Sequence, residues 1–117
     1  VVIVDGSGLS RYNYLTATNI VSVLKHVWAN DALRGPFVAE LPVGGRDGSL
    51  ELRMRNTVLD RNVQAKTGTI SNARALSGYL QTTAGEKLVF SMIANNYTAP
   101  SAQIDAVVER ALVRLVN

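Results

Sequence analysis

The chain has 117 residues, enough for one hydrophobic core and not for two. Hydrophobic residues make up 47% and charged residues 18%, the proportions of a folded interior, which excludes disorder as the main state. Cysteine is absent and His26 is the one histidine, so disulfides, thiolate metal sites, a cysteine nucleophile, multi-histidine metal sites and most histidine-relayed triads fall away.

The net charge of +3 rests on twelve basic residues, nine of them arginines, whose flat forks suit carboxylate or phosphate. No dense basic helix occurs and the few aromatics do not interleave with the charges, so nucleic acid is not indicated. The apolar runs Val1 to Val4 and Leu88 to Ala94 fall far short of the roughly 20 residues of a membrane span.

Val1 to Val4 reads as a buried strand that begins without initiator methionine, signal peptide or capping segment, as in a piece cut from a longer chain. Asp5-Gly6-Ser7-Gly8 ends it in a tight loop. Ile20, Val23, Leu24, Val27 and Trp28 then recur at helical spacing, which predicts a helix over 16–30 with Thr16 or Thr18 as its cap. His26 lies off the apolar stripe and reads as a solvated residue. Residues 41–62 mix three glycines with charges and read as a long surface connection with one helical turn, its arginines solvated. Three strands follow, over 63–69, 74–82 and 87–95, the last two joined by a turn at Thr83-Ala84-Gly85-Glu86. The last strand is apolar on both phases of its alternation, which predicts a central strand covered on both faces. A helix capped by Ser101 closes the chain, with Asp105 and Glu109 preceding Arg110 and Arg114 in the order the helix dipole prefers. No repeat, low-complexity tract or linker interrupts this single unit.

Lys66-Thr67-Gly68-Thr69 ends a predicted strand with a cation, two hydroxyls and a residue without a side chain. The lysine can bind a carboxylate or shift a proton equilibrium, the threonines can donate to carboxylate oxygens, and the glycine lets an extended ligand approach the strand edge. Alone, K-T-G is a weak signal and an ordinary strand end is the plainer account. Three motifs in order are more specific: Asp5-Gly6-Ser7-Gly8-Leu9-Ser10-Arg11-Tyr12-Asn13, Leu41-Pro42-Val43-Gly44-Gly45-Arg46-Asp47-Gly48-Ser49-Leu50 and Val63-Gln64-Ala65-Lys66-Thr67-Gly68-Thr69, followed by Ala75-Leu76-Ser77-Gly78-Tyr79. Together they resemble the C-terminal part of the D-alanyl-D-alanine carboxypeptidase/endopeptidase family of low-molecular-mass penicillin-binding proteins.

The resemblance implies an α+β fold, an antiparallel sheet with helices packed on both faces as in serine β-lactamases and transpeptidases, present here only in part. It implies that the family's S-x-x-K and S-x-N lie upstream of Val1. It also implies roles: Lys66 assisting substrate binding and proton transfer, Thr67 and Thr69 binding the terminal carboxylate, and the Thr69 N–H as an oxyanion donor beside Gly68. Ser7, Leu9 and Arg11 match one wall of the stem-peptide pocket, and Ile70 and Ser71 extend the other; loop geometry and packing are the competing account for Ser7 and Leu9. The implied partners are peptidoglycan stem peptides, β-lactams and the upstream part of the same protein, on the periplasmic or cell-wall side of a bacterial membrane, with no cofactor or metal. Ser22-Val23-Leu24-Lys25 is a literal S-x-x-K, but it falls inside the predicted helix and reads as a decoy. The rival function is a non-catalytic module that binds wall peptide or another anionic partner through Arg11, Lys66 and the arginines of 46–61.

Overall fold

The computed structural model describes all 117 residues. Its elements are α1 (Ala17–Ala29), α2 (Asp31–Ala39), a short 3-10 turn (Gly48–Leu50), β1 (Gln64–Ile70), β2 (Ala73–Gln81), β3 (Lys87–Asn95) and α3 (Ser101–Val116). The strands form one antiparallel sheet in the order β1-β2-β3. The α+β class is therefore as expected, with helices on both faces of the sheet.

The alternation along the strands decides which side chain meets which helix. Ala65 of β1, Leu76 and Leu80 of β2 and Phe90 of β3 turn to one face, where they pack with Leu112 and Val116 of α3. Tyr79 and Val89 turn to the other face, against Leu24, Ile20 and Trp28 of α1. Tyr79 is fully buried and its hydroxyl donates to the Leu24 carbonyl at 2.8 Å, which satisfies the one polar atom that the ring carries inside. Burial also pushes its phenol pKa up from the ordinary value.

The start of α1 obeys its cap: Thr16 accepts from the Asn19 N–H while the Asn19 side chain accepts from the Thr16 N–H. Asn30 ends α1 and opens α2, its side chain accepting from Ala32 and Leu33. The second helix, which contains Pro36, carries no clear helical signal in the sequence after Asn30-Asp31.

Four expectations are corrected. Val1 to Val4 does not enter the sheet: Val2 makes a single bridge with Tyr14, and all four valine and isoleucine side chains are exposed. Residues 41–62 are not simply a surface connection. Leu50, Met54 and Leu59 are buried in the α3-side core together with Val63, and Met54, Asn56 and Arg61 take left-handed backbone angles (φ 67°, 60° and 60°) to route the chain around them. The doubly apolar β3 is covered on both faces as expected, but it lies at an edge of this sheet and β2 is its centre. Ser101 is the first helical residue of α3, with Pro100 at the cap position and no capping side chain.

Candidate functional site

The β1–β2 ladder runs without interruption from Gln64↔Tyr79 to Ile70↔Ala73, so the side chains of β1 can be assigned to faces by parity. Thr67 and Thr69 share the face of Ala65, towards α3, and Lys66, Gly68 and Ile70 point to the opposite face. The backbone follows the same parity. The Ala65 N–H donates outward to the Pro42 carbonyl at 2.9 Å and the Val63 carbonyl accepts from Gly44 at 2.8 Å, both away from β2. In an antiparallel ladder the next groups on that outer edge are those of Thr67 and Thr69. The edge of β1 is thus covered by the 42–44 segment up to Ala65 and open to a ligand from Thr67 onward.

Lys66 is exposed, and its ammonium donates to the Thr67 carbonyl at 2.7 Å. The Thr67 hydroxyl donates to Ser49 Oγ at 2.8 Å, and Thr69 Oγ1 accepts from Arg74 Nη1 at 3.3 Å. A side chain at Gly68 would meet only the Ala75 methyl at 3.6 Å, an ordinary contact, so packing within the chain does not demand glycine there.

The glycine loop is built around Asp5 and Asn13. The Asp5 carboxylate accepts from the Gly8 and Ser10 N–H groups, both at 3.1 Å, and from the Asn13 amide at 3.1 Å. Asn13 in turn accepts from the Val4 N–H at 2.8 Å. These bonds, that from Asn13 first, hold the Asp5 carboxyl below its ordinary pKa. Gly8 takes φ 78°, a value that a side chain resists.

The loop lies across the end of the K-T-G strand. Gly8, Gly68, Thr69 and Ile70 line a hollow of about 210 Å³. Arg11, Ile70, Ser71, Asn72 and Asn19 line a larger one of about 660 Å³. Arg11, Ile70 and Ser71 are therefore brought together at one hollow. Ser7 and Leu9 flank Gly8 but line neither hollow: the Ser7 hydroxyl accepts from the Leu9 N–H, and Leu9 is 76% exposed. Lys66 and Thr67 also stand outside both hollows, on the open edge. The S-x-x-K decoy behaves as one: the Ser22 hydroxyl is bound to the Thr18 carbonyl one turn back, at 2.9 Å, inside α1.

Sequence reasoning missed Ser49, Arg74 and Asp105. Ser49 closes the L-P-x-x-G-x-D-G-S-L segment and so stood within a quoted motif. Arg74 is the cross-strand partner of Thr69, a relation visible only once the tight turn at Ser71-Asn72 is recognised. No group of three histidine, cysteine or carboxylate side chains converges to hold a metal, and no helix is long and apolar enough to cross a membrane.

Residues 1–115 match the D-Ala-D-Ala carboxypeptidase 3 (S13) family. Among curated proteins, the D-alanyl-D-alanine carboxypeptidase of Actinomadura sp. (strain R39) is 42% identical over 120 residues, covering 93% of this chain and 21% of that protein. The D-alanyl-D-alanine carboxypeptidase DacB of Haemophilus influenzae is 34% identical over 100 residues, covering 83% of this chain and 20% of that protein. The chain thus spans about a fifth of the length of these relatives. Among solved structures, penicillin-binding protein 4 of H. influenzae in complex with a β-lactam superposes with a TM-score of 0.81 at 29% identity, over 96% of this chain and 28% of that one. A predatory endopeptidase of Bdellovibrio bacteriovorus shares the fold, with a TM-score of 0.80 at 20% identity, over 99% of this chain and 32% of that one. With a family match over nearly its whole length and a matching fold, the chain belongs to the D-Ala-D-Ala carboxypeptidase 3 (S13) family.

Proposed function

We propose that these residues form the C-terminal, K-T-G-bearing part of a serine-type D-alanyl-D-alanine carboxypeptidase/endopeptidase. The parent protein acts on peptidoglycan stem peptides on the periplasmic or cell-wall side of a bacterial membrane and is acylated by β-lactams. The observation that carries this reading is the open edge of β1, where the backbone groups of Thr67 and Thr69 face outward beside Lys66 and across from the glycine loop. An extended peptide added to that edge gains main-chain hydrogen bonds, the usual mode of strand addition. The β-lactam in a solved relative of the same fold supports the inhibitor class.

In this mechanism a serine from the upstream part attacks the carbonyl of the penultimate D-alanine, and D-alanine leaves as the acyl-enzyme forms. The Thr69 N–H donates to the oxyanion that develops on that carbonyl. Lys66 leaves the Thr67 carbonyl, and its ammonium stabilises the proton transfers around the serine. The Thr67 and Thr69 hydroxyls donate to the terminal carboxylate, and the Arg11 fork takes a carboxylate on the stem peptide, as on diaminopimelate.

The test is acylation of the full-length protein by a fluorescent penicillin. Lys66→Ala should slow labelling by about a hundredfold or more, in the range for loss of one preorganised electrostatic group. The melting temperature should barely move, since an exposed lysine contributes little packing. Unchanged acylation in that variant removes the K-T-G assignment. A full-length chain lacking S-x-x-K and S-x-N supports the non-catalytic wall-peptide binder instead.

A further inference from the structure

Thr69 is not held by the sheet alone. The ladder places Arg74 directly opposite it, on the face that carries α3, and Arg74 Nη1 donates to Thr69 Oγ1 at 3.3 Å. The rest of that guanidinium is fixed, with Nε and Nη2 on the two carboxylate oxygens of Asp105 at 2.6 and 2.7 Å. Such forked pairs add orientation as well as energy. Asp105 also lies 3.4 Å from Arg53 Nη2, and Arg53 Nε binds Glu109 at 2.8 Å. Two cations and two anions from the 48–63 segment, β2 and α3 therefore close a half-buried cluster without net charge. Beyond the ladder itself, its side-chain hydrogen bond to the K-T-G strand goes to the Thr69 hydroxyl.

The hydrogen-bond chemistry of that contact has one direction. A guanidinium has donors and no acceptor, so Thr69 Oγ1 must accept from Arg74 and its own O–H must donate elsewhere. An ionised carboxylate, which only accepts, is the complement of a hydroxyl oriented in this way.

We propose that Arg74 is a positioning residue: clamped by Asp105, it fixes the Thr69 hydroxyl as a donor to the carboxylate of a ligand lying on the β1 edge, and so sets the preference for ligands with a free terminal carboxylate. This inference deepens the enzyme reading given above and rests on it. Arg74 lines the same hollow as Thr69, but its Nε and Nη2 are held by Asp105, so it acts through Thr69 with Asp105 as its anchor.

The experiment measures acylation of the full-length protein by benzylpenicillin and by its methyl ester, which lacks the free carboxylate. Arg74→Gln should slow acylation by the free acid about tenfold, the scale of one charge-assisted hydrogen bond, and acylation by the ester by less than about twofold. Arg74→Lys keeps the charge but not the fork, and should recover part of the preference. Thr69→Val should shrink the same preference, and adding Arg74→Gln to it should cost no more, because both changes remove one interaction. Equal losses on acid and ester, or additive losses in the double variant, overturn the proposal. If Arg74→Gln melts early, Arg74→Lys carries the test, and an unchanged acid preference in that variant overturns it. A wild-type protein that acylates with neither compound removes the enzyme reading itself, and this inference with it.

Discussion

Asp5 gathers three donors from its own loop, and the consequence is a dependence on acid. Its carboxyl is held below the ordinary value, so ionised Asp5 stabilises the folded loop at every pH above about 4 and that contribution is lost as the pH falls through the lowered folded value. The protection of the Gly8 and Ser10 amides against exchange, relative to an unstructured chain at the same pH, should therefore fall below about pH 4. Asp5→Asn should exchange faster already at neutral pH and lose the acid step; retention of that step would mean that another group controls the loop. At this scale the site was only partly legible beforehand. Lys66, Thr67, Gly68 and Thr69 are adjacent in sequence and carry a motif, so they could be read. Arg74 and Asp105 could not, because one is defined by strand register and the other by where α3 lands, and neither relation is local. The arginines of 46–61 read as solvated, yet Arg53 is half-buried between two carboxylates contributed by α3.

At the scale of elements, the sheet depends on a close approach at Gly78. A side chain there would clash with the Gln64 carbonyl and come within 2.6 Å of the Ala65 Cα, both backbone atoms that cannot swing aside. Gly78→Ala should push β1 from β2 and destabilise the protein by about 3 kcal/mol, at the upper end of ordinary overpacking. A melting curve of the full-length variant checks this, and one that coincides with wild type would show that the ladder absorbs a methyl. The elements with a clean period were legible: α1 and α3 by their three-and-four spacing, β1 to β3 by alternation and turn residues. Two were not. Gly35-Pro36 looks like a breaker, but Asn30 supplies a cap and Arg34 ties back to the Trp28 carbonyl at 2.9 Å, so α2 forms around the proline. Leu50, Met54, Leu59 and Val63 are core residues four, five and four apart in a stretch of charges and turns that sustains no helical or strand period, so their burial becomes visible only in three dimensions.

For the molecule as a whole, the notable imbalance is at residues 1–15. Val1, Val2, Ile3, Val4, Leu9, Tyr12, Tyr14 and Leu15 are all exposed, at 41% to 76%, and Val1, Tyr14 and Leu15 line the hollow that Arg11 also lines. So many exposed large apolar side chains in 15 residues are more than a stable monomer usually leaves uncovered. A polypeptide of these 117 residues should therefore elute from a sizing column as associated species and carry no covalent label from a fluorescent penicillin. A sharp monomeric peak with cooperative melting would show that the unit is self-sufficient, and a stoichiometric label lost in Ser22→Ala would make Ser22 the nucleophile. The open edge of β1 poses a different hazard, since an unpaired strand is a template for any other strand, including one from a second copy. The contact between the Lys66 ammonium and the Thr67 carbonyl bears on this directly. It occupies the acceptor that a stray strand would need first and places a charge where that strand would lie. In chemical terms a visitor that brings an anion would draw the lysine off the carbonyl, whereas a neutral strand would have to displace the cation with nothing to offer it. The same contact would then discourage self-templating at this edge while favouring anionic visitors.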